Sequence, residues 1–220
     1  MCGRYSLTVS AEKLVNQFKA ILPDEGFLPK YNAAPSQKLP IITDSEPGKI
    51  QLYRWGLIPH WAKDISIGNK LINARAETIN EKPSFRNAFR KQRCLVLADG
   101  YYEWQKTDTG KIPYRIILKN EEPFAIAGIW ESWHDEADNE IRSFSIITTE
   151  ANPSLTDIHN RMPVILNPDD TGKWLDKKLS QDEALLLLQP LADEMVKAYR
   201  VSTMVNTPFN DSPELILALN

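Results

Sequence analysis

The sequence predicts an α+β fold, with strand runs and helices segregated and the sheet free to curl into a barrel. Strand-like apolar runs recur through the middle of the chain. Helical patterns stand at Ser10 to Phe18 and after Ser180 instead of alternating with the strands. A turn signal, Asp108-Thr109-Gly110, joins two strand-like runs as a hairpin.

In chain order, Ser10 precedes Ala11-Glu12-Lys13-Leu14-Val15-Asn16-Gln17-Phe18, whose apolar spacing of three and four suits a short helix with a serine cap. Strands are expected at Leu52 to Leu57, Cys94 to Ala98, Pro113 to Leu118, Phe124 to Trp130 and Phe144 to Thr148. Asp99-Gly100 reads as a glycine turn after the second of these, and Pro163 as the start of a further strand. Ser180-Gln181-Asp182-Glu183 before Ala184 and four leucines is a capping box that opens an amphipathic helix.

The chain has 220 residues, 42% of them hydrophobic, and 6 Trp, enough to bury a core as one domain spanning residues 1–220. No apolar run approaches the roughly 18 residues of a membrane span, and Met1-Cys2-Gly3-Arg4-Tyr5 opens no leader-like segment, so a cytoplasmic protein without membrane contact is expected. Cys2 and Cys94 cannot build a disulfide framework, and His60, His134 and His159 lack metal-ligand spacing. No metal or other cofactor is implied. Without heptads, a monomer is expected.

A formal net charge of -3 excludes binding of nucleic acid by bulk positive charge. The charge is uneven, however. Residues 1–93 hold 15 Lys and Arg against 8 Asp and Glu, whereas residues 94–220 hold 11 against 21. The first part is able to carry a local anion-binding face. Lys82, Arg86, Arg90, Lys91 and Arg93 form its densest stretch, which is equally the pattern of a solvated helix face.

Cys2 directly follows Met1, and its small side chain permits removal of that methionine. The new terminus is a 1,2-aminothiol. Reference pKa values of about 7.7 to 8 for the α-amine and about 8.5 for the thiol leave both partly nucleophilic near neutrality, unlike a lysine at about 10.4. An aldehyde forms a Schiff base at nitrogen, and the adjacent sulfur then closes a thiazolidine. The same position also suits a small buried apolar residue.

Three further segments place polar groups in apolar surroundings. Asp99-Gly100-Tyr101-Tyr102-Glu103-Trp104 sets a carboxylate between aromatic rings, which disfavours its charge and suits proton exchange. The alternative is a glutamate on the exposed strand face. Ile158-His159-Asn160-Arg161-Met162-Pro163 sets an imidazole beside a guanidinium, as catalytic or structural groups. Asn73-Ala74-Arg75 offers an amide two residues from an arginine, able to orient a nucleophile and bind phosphate or to open a helix.

These segments, with Met1-Cys2-Gly3-Arg4-Tyr5, Tyr31-Asn32-Ala33-Ala34-Pro35, Trp55-Gly56-Leu57-Ile58-Pro59-His60-Trp61, Asn73 to Thr78 and Val205-Asn206, resemble in order the blocks of the SOS response-associated peptidase (SRAP) family. The resemblance spans essentially the whole chain. Leu97 departs from it, since members often have proline there.

The resemblance implies a single domain with a barrel-like, mainly antiparallel sheet and peripheral helices, acting in the response to DNA damage. It implies covalent capture of abasic sites in single-stranded DNA, together with lyase chemistry at those sites. Cys2 would be the nucleophile, Asn73 would hold it and the sugar, and Glu103 and His159 would move protons. Arg4, Arg75 and Arg161 would bind flanking phosphates, while Trp61, Trp104 and Pro35 would replace lost stacking. The competing readings are an N-terminal-nucleophile cysteine peptidase that removes Met1 autocatalytically, and a noncovalent DNA-binding module.

Overall fold

The computed structural model describes residues 2–219; Met1, whose removal the sequence leads one to expect, lies outside the described residues. Among the described residues, twelve strands are distributed over two sheets. They are β1 (Tyr5–Leu7), β2 (Lys30–Ala33), β3 (Lys38–Thr43), β4 (Ile50–Trp55), β5 (Asn73–Arg75), β6 (Arg93–Ala98), β7 (Gly100–Thr107), β8 (Gly110–Leu118), β9 (Phe124–His134), β10 (Glu140–Glu150), β11 (Arg161–Pro163) and β12 (Val196–Arg200). Helices α1 (Ala11–Phe18), α2 (Arg86–Lys91), α3 (Pro168–Leu175) and α4 (Gln181–Leu186) lie between them in sequence.

One sheet runs β12-β8-β7-β1-β2. The other runs β11-β10-β4-β3-β6-β9 and is closed by an additional β9–β10 pairing, so that β3, β4, β6, β9 and β10 form a five-stranded barrel. Directions that alternate around an odd ring must repeat once. The repeat falls at β10–β4, which pair in parallel through Ser143↔Arg54 and Phe144↔Trp55, while the other four neighbours are antiparallel. The barrel-like, mainly antiparallel expectation is borne out.

Side-chain alternation divides the barrel strands between two cores. Along β6, Cys94, Val96 and Ala98 join a cluster with Tyr5, Tyr101 and Ile116 of the other sheet. Leu95 and Leu97 instead join a cluster with Leu14 of α1, Phe89 of α2, Trp174 of α3 and Ala184 of α4. Both faces of β6 are therefore covered, and all six of its residues are buried. Each large apolar side chain so buried contributes roughly 1.5–3 kcal/mol.

The local signals act as expected at both helix starts. Ser10 Oγ accepts from Lys13 N at 3.2 Å, and Ser180 with Glu183 forms a reciprocal capping box. β4 ends two residues before the expected limit because Gly56 adopts φ 119, and a Cβ there would come within 2.6 Å of Gly68 O.

Two expectations are corrected. Gly100 is not a turn residue: the chain passes from β6 through Asp99 directly into β7, and Gly100 pairs with Ser6. A Cβ at Gly100 would meet Arg115 Nε at 2.7 Å, so close packing beneath the guanidinium is what the glycine serves. Pro163 ends β11, which begins at Arg161 and pairs with the end of β10 through Glu150↔Arg161 and Thr148↔Pro163.

Candidate active site

β1 carries the segment after Cys2 between β7 and β2, with Tyr5 opposite Tyr101 and Ala33. Cys2 itself is fully buried. Its main chain is anchored across the fold by Asn73, which opens β5 and donates from Nδ2 to the Cys2 carbonyl at 2.8 Å. β5 runs parallel to β10, Asn73 beside Ile146, so the barrel holds the asparagine. Asn73 Oδ1 is buried with no hydrogen-bond partner among the described residues. Burial, reinforced by the Glu103 carboxylate, pushes the Cys2 thiol well above its ordinary value.

Glu103 sits on β7 opposite Tyr114 and is only 3% exposed, so the exposed-face alternative is not what the chain adopts. Burial raises its carboxyl from 4.5 to about 7. His159, in the connection between β10 and β11, brings Nε2 to 4.0 Å from Glu103 Oε2. Its Nδ1 accepts the Arg161 backbone N–H at 3.0 Å. A neutral ring that accepts at Nδ1 carries its proton on Nε2, toward Glu103. Burial foremost, with the nearby charges of Lys106 and Arg161, holds the imidazole below its ordinary value. Near neutrality this places a poised carboxyl beside a largely neutral imidazole, an arrangement suited to proton exchange.

The three arginines singled out by the sequence differ. Arg4 is half-buried and donates Nη1 to Asn32 Oδ1 at 2.9 Å and Val205 O at 2.8 Å, and Nη2 to Asn206 O at 3.3 Å. Arg161 grips Glu77 with both Nη atoms, at 2.7 and 3.0 Å, and donates Nη2 to Thr148 O at 2.6 Å. The Arg75 side chain is exposed and makes no hydrogen bond among the described residues. Trp61 is 49% exposed, whereas Trp104 and Pro35 are half-buried. Trp104 donates Nε1 to Asn206 Oδ1 at 2.7 Å. Of the dense basic stretch, Lys82, Arg86, Arg90 and Lys91 are exposed along α2 and the turn before it. Arg93 turns inward to Trp174 O at 2.8 Å and Asp176 O at 2.6 Å.

Several residues that sequence reasoning passed over support this constellation. Buried Asn32 donates to Val205 O, Thr207 O and Asn210 O while accepting from Arg4, which ties the segment after residue 203 to β2. Asp99 pairs with Arg115 at 2.9 Å, accepts from Ser6 Oγ at 2.7 Å and takes both the backbone N–H and the hydroxyl of Thr8. Glu77 lies within the segment Asn73 to Thr78, whose pattern assigns it no role. Only its distance from Arg161 in sequence concealed the pairing.

Comparison with known proteins adds independent observations. The family described as SOS response associated peptidase (SRAP) matches residues 1–208. The abasic site processing protein YoqW of Bacillus subtilis (strain 168) is 47% identical over 98% of this chain and 99% of its own. The abasic site processing protein HMCES of Rattus norvegicus is 34% identical, covering 98% of this chain and 75% of its own. A crystal structure of a protein from Bacteroides thetaiotaomicron superposes with a TM-score of 0.87 at 34% identity, over 100% of both chains.

Proposed function

The chain belongs to the SOS response-associated peptidase (SRAP) family, and on that premise we propose that it processes abasic sites by capturing them covalently in single-stranded DNA through Cys2. The observation that carries this reading is the convergence of Cys2, Asn73, Glu103 and His159 from four separate parts of the fold. The names of the relatives, abasic site processing proteins, support the same substrate.

Hydrolysis of the Met1–Cys2 bond exposes the α-amine of Cys2, and we read the peptidase in the family's description as this step. The open-chain sugar presents its C1′ aldehyde. The amine adds to that carbon, the carbinolamine loses water, and an imine remains. The thiol sulfur then bonds to the imine carbon and its proton ends on nitrogen, closing the thiazolidine with no redox partner. Loss of water needs an acid, and thiol addition needs a base. Glu103, with its carboxyl near 7, and His159, with Nε2–H directed toward it, serve as the pair that moves these protons.

Asn73 fixes the main chain of the nucleophile. Arg75 supplies an uncommitted phosphate contact, and Arg4 and Arg161 add positive charge at the site's rim. Trp61, Trp104 and Pro35 offer surfaces for bases whose neighbour is lost. Single strands are preferred because a duplex would have to be unstacked to present the sugar.

The test is the mass of the purified chain before and after incubation with an abasic-site oligonucleotide. The expected result is loss of Met1, then a heat-stable adduct whose mass is that of chain plus oligonucleotide less one water. Cys2→Ala is expected to abolish the adduct. A stable adduct at full yield from Cys2→Ala would overturn the reading.

A further inference from the structure

Glu77 occupies an unusual position relative to this chemistry. It lies in the single 3-10 turn Ala76–Thr78 that follows β5, and its side chain is 44% exposed. Both of its carboxylate oxygens are nevertheless engaged by the guanidinium of Arg161, at 2.7 and 3.0 Å. Two parallel charge-assisted bonds of this kind fix orientation as well as distance. The Nη2 of the same guanidinium also donates to Thr148 O on β10, at 2.6 Å. Arg161 is thereby clamped between the turn after β5 and the barrel strand.

Arg161 also reaches the reactive centre through its main chain. Its backbone N–H donates to His159 Nδ1 at 3.0 Å, and this bond determines that a neutral ring presents Nε2–H toward Glu103. The contacts form one path from carboxylate to guanidinium, to backbone N–H, to imidazole, to the Glu103 carboxyl.

We infer that Glu77 is a positioning residue for the abasic-site reaction: by clamping Arg161 it fixes the orientation and tautomer of His159. The inference rests on the function proposed above and assigns a residue that never touches the DNA aldehyde. The Glu77 side chain is 44% exposed and that of Arg161 11%, and without Glu77 the guanidinium keeps its bond to Thr148 O. The role of Glu77 is therefore chiefly geometric, and its loss shows in rate more than in folding. Catalytic groups displaced by about 1 Å lose up to about 100-fold in rate.

The experiment compares adduct formation at saturating abasic single-stranded oligonucleotide for wild type, Glu77→Gln, His159→Ala and the double variant, with noncovalent affinity measured on the same strand lacking the aldehyde. Glu77→Gln is expected to react about 10-fold more slowly. Its affinity should equal or exceed wild type, since a negative charge near the DNA is removed. Glu77→Asp, which keeps the carboxylate, should recover part of the rate. In the His159→Ala background Glu77→Gln should cause no further slowing, because the ring it positions is gone. A wild-type rate in Glu77→Gln overturns the inference, as does the same fold-loss with and without His159. Failure of the wild type itself to form an adduct overturns the proposed function and this inference together, whereas the first two outcomes leave that function standing.

Discussion

Asn73 and Cys2 are separated by 71 residues, yet Asn73 Nδ2 donates to the Cys2 carbonyl at 2.8 Å and ties the proposed nucleophile to the barrel. Replacing Asn73 with alanine removes the tether without touching sulfur or amine. A hydrogen bond of about 1 kcal/mol corresponds to a rate loss of about 5- to 10-fold if it is made in the reacting geometry. Adduct formation by Asn73→Ala is expected to slow by that factor, with affinity for intact single-stranded DNA within about twofold of wild type. An adduct time course together with anisotropy titration checks both.

Glu103 links stability to pH in an unusual direction. Its carboxyl is raised by burial from 4.5 to about 7, so the folded chain holds this proton more tightly than the unfolded one. The resulting penalty is absent below the unfolded value, grows as pH rises through the window between 4.5 and about 7, and is complete above it. Glu103→Gln removes the titration. It should be more stable than wild type at pH about 8, by up to about 3 kcal/mol, with the gap narrowing toward pH about 4. Denaturant melts across that range measure it. The same variant should form the adduct about 100-fold more slowly, since it can no longer donate or accept the proton.

Arg75 and Arg4 are expected to fail in different ways. Arg75 is exposed and uncommitted among the described residues, so Arg75→Ala should weaken single-stranded DNA binding and lower the salt slope by about 0.7 while leaving the melting temperature unchanged. Arg4 is bound to Asn32, Val205 O and Asn206 O. Arg4→Ala should therefore also destabilise the chain, by about 1–3 kcal/mol, because buried acceptors lose their donor. Salt titrations paired with thermal melts separate the two.

Asp99 offers a control remote from proton transfer. Asp99 and Arg115 are both nearly fully buried and 2.9 Å apart. Asp99→Ala strands a buried guanidinium and should cost about 3–5 kcal/mol. The expected result is a lower denaturation midpoint, and Arg115→Met in the Asp99→Ala background should recover much of the loss by removing the orphaned charge.

The sequence by itself determined what depends on neighbours in the chain. Ser10 and Ser180 announce helix starts because a cap is satisfied within one turn. The apolar runs of β6, β9 and β10 announce strands, although alternation could not tell which core each face would meet. The ordered blocks, from Cys2 to Val205-Asn206, gave the family, and with it the residues at which to look. What only the tertiary structure decided is how those residues meet. The pairing of β5 with β10, and the connection from β10 to β11, bring Asn73, His159 and Cys2 together across long stretches of chain. The environment of Glu103 likewise follows from packing, since desolvation is a property of everything around a carboxyl and not of its adjacent residues. The pairing of Glu77 with Arg161 was hidden for the same reason: 84 residues separate the partners, and a long-range ion pair leaves no periodic trace in the chain.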